Sequence, residues 1–295
     1  MTDPVPIIDA LGHVATRQQL IAAGCSGFDL TIAVRRAEIW RVRQARYVTP
    51  GASSDAISAA RVGGMLAGTS AARSYGLWSG FDRRLHISVG DHGSRLRTNF
   101  APNLKPERLT PDFSDREVVL HWLVDGAVPE RGSECWRVSL ATCLRQVVSW
   151  TDPETAIAGL DTARTAFGLS AGAIADIFRD APATDRLRAG ASRSGSDSGP
   201  ESVVRQRLSA AGFAVVQQVA FPGMRVDIGI VGTRALIEVD SAEFHGSSES
   251  KVRDDHRDKE LLARGFVVIR LPFDRIFGDW KWCLQQVESG IHWRP

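Results

Sequence analysis

Three carboxylates crowd one short stretch of this chain. Arg225-Val226-Asp227-Ile228-Gly229-Ile230-Val231 is followed by Gly232-Thr233 and then by Arg234-Ala235-Leu236-Ile237-Glu238-Val239-Asp240. Two alternating apolar runs around a Gly-containing pair predict a β-hairpin. With Gly232 and Thr233 as the loop, Val231 faces Arg234, and counting outward sets Asp227 opposite Glu238. Directly opposed residues lie about 4.5–5.5 Å apart at Cβ. Asp240 falls on the same face. Val226, Ile228, Ile230, Ala235, Ile237 and Val239 form the other, apolar face, whose burial fixes the register. Like charges in direct opposition destabilise a sheet, so a fold that keeps them places something positive among them. Hard oxygens in this number suit a divalent cation, Mg2+ or Mn2+, with Asp227 and Glu238 as its ligands. The competing reading is a polar sheet face whose acids pair with Arg225, Arg234 or Lys251.

The elements around the hairpin have their own signals. Glu201 opens a helical pattern with Val204, Leu208 and Ala211 on one stripe, and Gly212 ends it. Ala214 to Phe221 reads as a strand. Beyond the hairpin come His245, a charged helix containing Arg253, Asp254, Arg257 and Asp258, then Gly265 and the strand Phe266 to Leu271. The order is helix, three strands, helix, strand.

Glu201, Asp227, Glu238-Val239-Asp240, His245, Arg253-Asp254, Arg257, Gly265 and Arg270 together resemble the small domain related to very-short-patch-repair (Vsr) endonucleases, within the PD-(D/E)XK nuclease superfamily. The resemblance spans residues 201–290. It implies a restriction-endonuclease-like mixed sheet flanked by helices, with catalytic residues at Glu201, Asp227, Glu238, Asp240 and His245. Two positions depart from the pattern. Asp240 stands where the superfamily has its usual Lys, a substitution common in the Vsr-like group, and Ser241 replaces the Gly that commonly follows. His245 is the candidate for proton transfer, since imidazole titrates near working pH. Glu201 reaches the site from its helix to support the water rather than the metal.

The first residues of the chain read differently. Pro6 to Leu11 predicts a short helix, Thr16 caps Arg17 to Ala23, and Ser26 caps Gly27 to Ala37. Ile39 to Arg43 and Arg46 to Val48 are two short alternating runs, a β-wing. Helix, tight turn, helix and wing make a winged helix-turn-helix over residues 1–51. Arg35, Arg36, Arg41, Arg43 and Arg46 gather positive charge on the second helix and the wing, the elements that meet DNA in such modules. The bland alternative is a basic edge of a protein-binding domain. Val14 to Leu20, Ala22-Ala23-Gly24, Trp40 to Arg43 and Tyr47 to Gly51 resemble the winged-helix start of AbiEi-type antitoxin proteins. Gly68 to Leu77 and Arg137 to Leu144 are similar to segments of the antitoxin's second domain.

The fold class expected is α/β in the multidomain α+β sense: winged helix 1–51, a mixed α/β antitoxin-like middle domain 52–180, a flexible linker 181–200 and the nuclease-like domain 201–295. The linker reading rests on small and polar residues with almost no apolar side chains. The middle domain sets geometry between the two ends or binds a protein partner. Its His86, His92 and His121 read as isolated and structural.

Composition sets outer limits. The formal charge of +2 is too small to identify a partner, and 43% hydrophobic content is ordinary for a globular protein. No apolar run approaches the length of a membrane span, and the N-terminus lacks a signal-peptide pattern. Cys25, Cys135, Cys143 and Cys283 are scattered and read as reduced, buried thiols of a cytoplasmic protein. The expected function is a metal-dependent DNA endonuclease positioned by its winged helix. The alternative is a DNA-binding regulator or antitoxin-like protein with an inactive nuclease-like domain.

Overall fold

Thr16 and Ser26 each stop one helix from fraying at its start. Thr16 Oγ1 accepts the Gln19 N–H (3.1 Å) while Gln19 Oε1 accepts the Thr16 N–H (2.9 Å). Ser26 and Asp29 exchange the same pair of bonds at 3.2 and 2.9 Å. Both are capping boxes, which satisfy orphan N–H groups reciprocally. The computed structural model describes residues 2–90, 96, 116–123, 134–240 and 257–292. It divides into two compact units, Met1–Trp150 and Thr151–Pro295.

The first unit begins with α1 (Val5–Ala10), β1 (Val14–Thr16), α2 (Arg17–Ala22), α3 (Gly27–Arg35), β2 (Trp40–Arg43) and β3 (Arg46–Val48). The three strands pair antiparallel in the order β1-β3-β2. Ile8, Leu20, Leu30, Ile39 and Tyr47 close a core between helices and sheet. The unit continues with α4 (Ser54–Val62), β4 (Met65–Leu66), α5 (Gly68–Ser74), β5 (Leu85–Gly90), β6 (Val118–Leu123) and α6 (Leu140–Trp150). Its second sheet runs β4-β5-β6, with β5 and β6 parallel and Ser88 level with His121.

That parallel pairing overturns the reading of His86 and His121 as isolated. His86 Nδ1 lies 2.9 Å from His121 Nε2, and His86 Nε2 lies 2.9 Å from Asp82 Oδ2. The His121 ring stacks on Trp150 with centroids 3.8 Å apart. The residues are far apart in sequence, and only the strand pairing joins them. His92 lies outside the described residues.

The second unit starts with α7 (Pro153–Phe167), α8 (Ala171–Ile177), α9 (Ala183–Gly190) and α10 (Gly199–Ala210). Strands β7 (Val215–Phe221), β8 (Met224–Ile230), β9 (Ala235–Asp240) and β10 (Val267–Pro272) form one mixed sheet in the order β10-β9-β8-β7. Pairing is antiparallel except between β9 and β10. Helical residues 257–263 (α11) precede β10, and α12 (Phe273–Gly278) and α13 (Trp280–Ile291) follow it. Leu261 of α11 packs with Val226, Leu236, Phe266 and Val268 on one sheet face. On the other face α13 approaches so closely that a Cβ at Gly290 would sit 2.4 Å from Ile269 Cδ1.

Residues 181–200, expected to be a flexible linker, are built into this unit. They contain α9, and the N–H of Arg193 donates to Asp161 Oδ1 (2.6 Å). Arg164 Nη1 donates to the Ser192 carbonyl (2.7 Å). The stretch is held by polar partners on α7 rather than by burial of its own apolar side chains, and composition carries no signal for that. The division at Trp150 also cuts the expected 52–180 domain, because α7 and α8 belong with the sheet. All four cysteines are buried and unpaired. Among the described residues no helix is long and apolar enough to cross a membrane.

Candidate active site

The hairpin register is the one the loop position predicts. Ile228 pairs with Ile237 and Gly229 with Leu236, so one further step sets Asp227 level with Glu238. The ladder stops short of that step. The Val239 N–H donates instead to Asp227 Oδ2 (2.9 Å), so a side chain replaces the neighbouring main chain as its acceptor. On the other side of β8 the pairing passes from Gln217–Ile228 to Val219–Val226 and leaves Gln218 and Asp227 out. Gln218 has φ +54° there, a left-handed conformation that a non-Gly residue adopts only under local constraint.

This irregular step corrects one expectation. Strict alternation puts Val226 on the apolar face away from the acids. It packs instead with Leu236 and Leu261, and Leu236 shares its face of β9 with Glu238 and Asp240. Alternation of side chains is broken where Asp227 leaves the ladder, so counting by twos through it misplaces what comes before.

The three central acids have different surroundings. Glu201 sits in the first turn of α10 behind the cap residue Ser198. Its Oε1 accepts the Ser198 hydroxyl (2.8 Å), and its Oε2 accepts the Asp197 N–H (3.0 Å) and Gln218 Nε2–H (3.0 Å). Burial pushes its carboxyl up to about 7, the nearby Asp227 charge adds to the rise, and the hydrogen bonds oppose it. Asp227 is raised by burial against the Val239 N–H bond and the Arg257 charge. Glu238 is raised by burial even though Arg257 and Arg270 face it. Arg257 Nη2 pairs with Glu238 Oε1, and Arg270 Nη1 lies 3.1 Å from Glu238 Oε2. Among the described residues these two arginines pair with Glu238, whereas Arg225 reaches the acids only through its charge on Asp227. Arg225 pairs with Asp197, and Arg234 donates to the Arg264 carbonyl (3.2 Å).

Asp240 ends β9 level with Pro272 of β10, half-buried. His245, Ser241, Lys251, Arg253 and Asp254 lie outside the described residues. Among the described residues no three His, Cys, Asp or Glu side chains converge as a ready metal cage. The donor set still fits a hard divalent cation. Burial holds these carboxylates above their ordinary values, which a cation would offset, and oxygen ligands on adjoining strands are what such a cation takes. Asp227 and Glu238 are the pair that would hold it.

Sequence reasoning gave Gln218, Asp197 and Ser198 no role. Ser198 carries a legible signal, a hydroxyl three residues ahead of Glu201. Gln218 carries none, since its part depends on a backbone conformation that alternation hides.

The five N-terminal arginines separate into two groups. Arg35, Arg36 and Arg41 are exposed. Arg43 Nη1 donates to the carbonyls of Arg61 (3.1 Å) and Val62 (2.6 Å), and Arg46 Nη1 to that of Cys135 (3.1 Å). Those two guanidiniums are tied to main chain of their own unit.

The family model REase_MTES_1575 matches residues 201–291. Among solved structures the chain is similar to the "Homing Endonuclease I-Bth0305I Catalytic Domain", at 21% identity and a TM-score of 0.27, over 30% of this chain and 90% of that one. No curated protein matches the chain. Residues 201–291 are therefore a restriction-endonuclease-like, nuclease-type region joined to a chain more than twice as long again.

Proposed function

We propose that this chain is a metal-dependent DNA endonuclease of Vsr-like type, brought to duplex DNA by a winged helix at its N-terminus. The observation that carries the reading is the set of buried carboxylates Glu201, Asp227 and Glu238, all raised by burial, within the region that matches the nuclease family model. Asp227 and Glu238 would hold Mg2+ or Mn2+. When bound, such a cation supplies charge to the phosphate's developing negative oxygens and acidity to the attacking water. Glu201, fixed by Ser198 and Gln218, orients that water and shares its proton at Oε1 or Oε2. Asp240, in place of the usual Lys, contributes a further acceptor rather than a charge donor. His245 is the remaining candidate for proton transfer.

Duplex affinity falls to the N-terminal module. Residues 201–295 carry 13 Lys and Arg against 13 Asp and Glu, so they have no net attraction for phosphate. Arg35 at the end of α3, Arg36 just after it and Arg41 on β2, all exposed, make the phosphate contacts. The antitoxin-like resemblance of this half and a cytoplasmic setting belong to the same reading. So does a protein partner for the remainder of the first unit.

The test is cleavage of duplex, nicked, mismatched and single-stranded DNA by purified full-length chain with Mg2+ or Mn2+. Asp227→Ala should lose cleavage by at least about a hundredfold and retain DNA affinity. A second reading, a DNA-binding regulator with an inactive nuclease-like region, is favoured by the two arginines that already cover Glu238. Tight DNA binding with no cleavage in either metal would establish it.

A further inference from the structure

Glu238 is covered by two guanidiniums that are held in unequal ways. Arg270 has a second anchor: its Nη2 lies 3.0 Å from both Asp258 oxygens while Nη1 reaches Glu238. Arg257 has a poorer set. One nitrogen, Nη2, serves both Glu238 Oε1 and the Arg225 carbonyl. Its Nε is buried without a hydrogen-bond partner among the described residues. An orphaned buried donor on a charged group is costly, and a planar five-donor fork that uses so little of itself is poorly satisfied where it stands. Arg257 pairs with Glu238, and its charge also lowers the carboxyl of Asp227, so it acts on both acids assigned to the metal.

We propose that Arg257 is a displaceable counter-ion of the carboxylate pair, which a divalent cation replaces at Glu238 and which a DNA phosphate takes up when released. The inference rests on the metal-dependent reading above. The exchange is chemically even. The guanidinium fork that binds a carboxylate binds a phosphate with the same geometry. While Arg257 covers Glu238, a cation entering the site must first break that pair, so free protein binds metal weakly. Once a phosphate holds Arg257, Glu238 is available. Metal and DNA therefore favour each other's binding, and the coupling is reciprocal by linkage. Arg270, anchored by Asp258, stays and keeps Glu238 from being left unpaired.

The experiment uses the full chain in chelated buffer, titrated with Mn2+ by calorimetry, with and without a duplex whose phosphorothioate linkages resist cleavage. Wild-type protein should bind Mn2+ about tenfold more tightly with DNA present, the scale of one charge-assisted hydrogen-bonded pair. Arg257→Ala should bind Mn2+ about tenfold more tightly than wild type without DNA, and DNA should add nothing further. Arg257→Lys, which keeps the charge but loses the fork, should fall between. Equal Mn2+ affinity in wild type and Arg257→Ala overturns the proposal and leaves the metal reading standing. No Mn2+ binding by either overturns the metal reading and the proposal with it. If Arg257→Ala does not fold, the side-chain Nε–H resonance of Arg257 in wild-type protein decides. It should shift when Mg2+ is added, and an unmoved resonance under saturating Mg2+ overturns the exchange.

Discussion

Each unit of this molecule gathers a cluster of titratable side chains at a sheet, and the two clusters are built on opposite principles. In the first unit Asp82 accepts Arg84 Nε (3.0 Å) and Nη2 (2.7 Å) as well as His86 Nε2, and its carboxyl is held far below the ordinary range by Arg84. The His86–His121 pair extends that network, and burial lowers the His121 imidazole below its usual value so that it stays neutral. Charge there is met by charge. In the second unit Glu201, Asp227 and Glu238 are all raised. Burial outweighs every partner they have. A satisfied polar network rigidifies a fold, whereas an unsatisfied one marks a place that awaits something. The contrast sets the first cluster apart from the one proposed as the active site with no appeal to residue type.

Asp161 sharpens the contrast, because it too is raised by burial yet lies off the site. It accepts the Arg193 N–H, the Ser202 hydroxyl (2.7 Å) and Arg205 Nη2 (2.8 Å). A raised carboxyl whose charge is met by its own largely buried guanidinium, as Arg205 meets Asp161, and which no other acid adjoins among the described residues, is a structural tie. Removing one member of such a buried pair leaves an uncompensated charge and costs about 3–5 kcal/mol. Asp161→Ala should therefore lower the melting temperature of the second unit sharply while wild type keeps Arg186, Arg188 and Arg193 resistant to trypsin. In the variant those bonds should become the first cut. Early cleavage there in wild type would restore the flexible-linker reading.

A smaller effect tests the sign of the comparison. Neutralising a carboxyl should move stability in opposite directions in the two clusters. Asp82→Asn removes the partner of Arg84 and His86 and should destabilise the first unit by about 1–3 kcal/mol. Asp227→Asn keeps an oxygen for the Val239 N–H and removes a buried charge, so in chelator it should stabilise the second unit by about 0.5–2 kcal/mol while abolishing cleavage. Hydrogen-exchange mass spectrometry resolves the units by peptide. Destabilisation by Asp227→Asn in chelator would mean that Arg257 and Arg270 already balance the site.

What the sequence let one read follows from how local each signal is. Thr16, Ser26 and Ser170 announce their helices because a cap acts over three residues. The hairpin register was legible because Gly232, at φ +77°, marks the turn and the apolar face leaves one pairing open. The second-unit site was legible in its acids for the same reason. Its arginines appeared only as matching positions, because Arg270 reaches Glu238 across the parallel β9–β10 pairing, and no local pattern specifies a parallel partner. The His86–His121 contact was lost to the same cause at β5–β6. Gln218 was lost because a left-handed residue within a strand looks like any other in an alternating run.

The smallest effect is on pH, and its sign differs between the units. Glu201 has its carboxyl raised from 4.5 to about 7. From about pH 4.5 to 7 the folded chain keeps a proton that the unfolded chain has released, so stability falls as pH rises through that window. The penalty is absent below the unfolded value and complete above the folded one. Asp227 and Glu238, also raised, act in the same direction. His121 is lowered from 6.5, so below that pH the unfolded chain takes up a proton that the folded chain refuses, and stability falls as pH drops. Peptides of the second unit should thus be better protected at pH 5 than at pH 8 in chelator, by on the order of 1 kcal/mol, and those of the first unit less well protected. Glu201→Gln should flatten the slope of the second unit alone, and saturating Mg2+ should reverse it, because the ionised carboxylates then have their cation. A slope unchanged in Glu201→Gln would place the uncompensated charge elsewhere, at Asp227 and Glu238, and would return Glu201 to the role its hydrogen bonds also describe, the first-turn acceptor that ties down the cap residue Ser198 of α10.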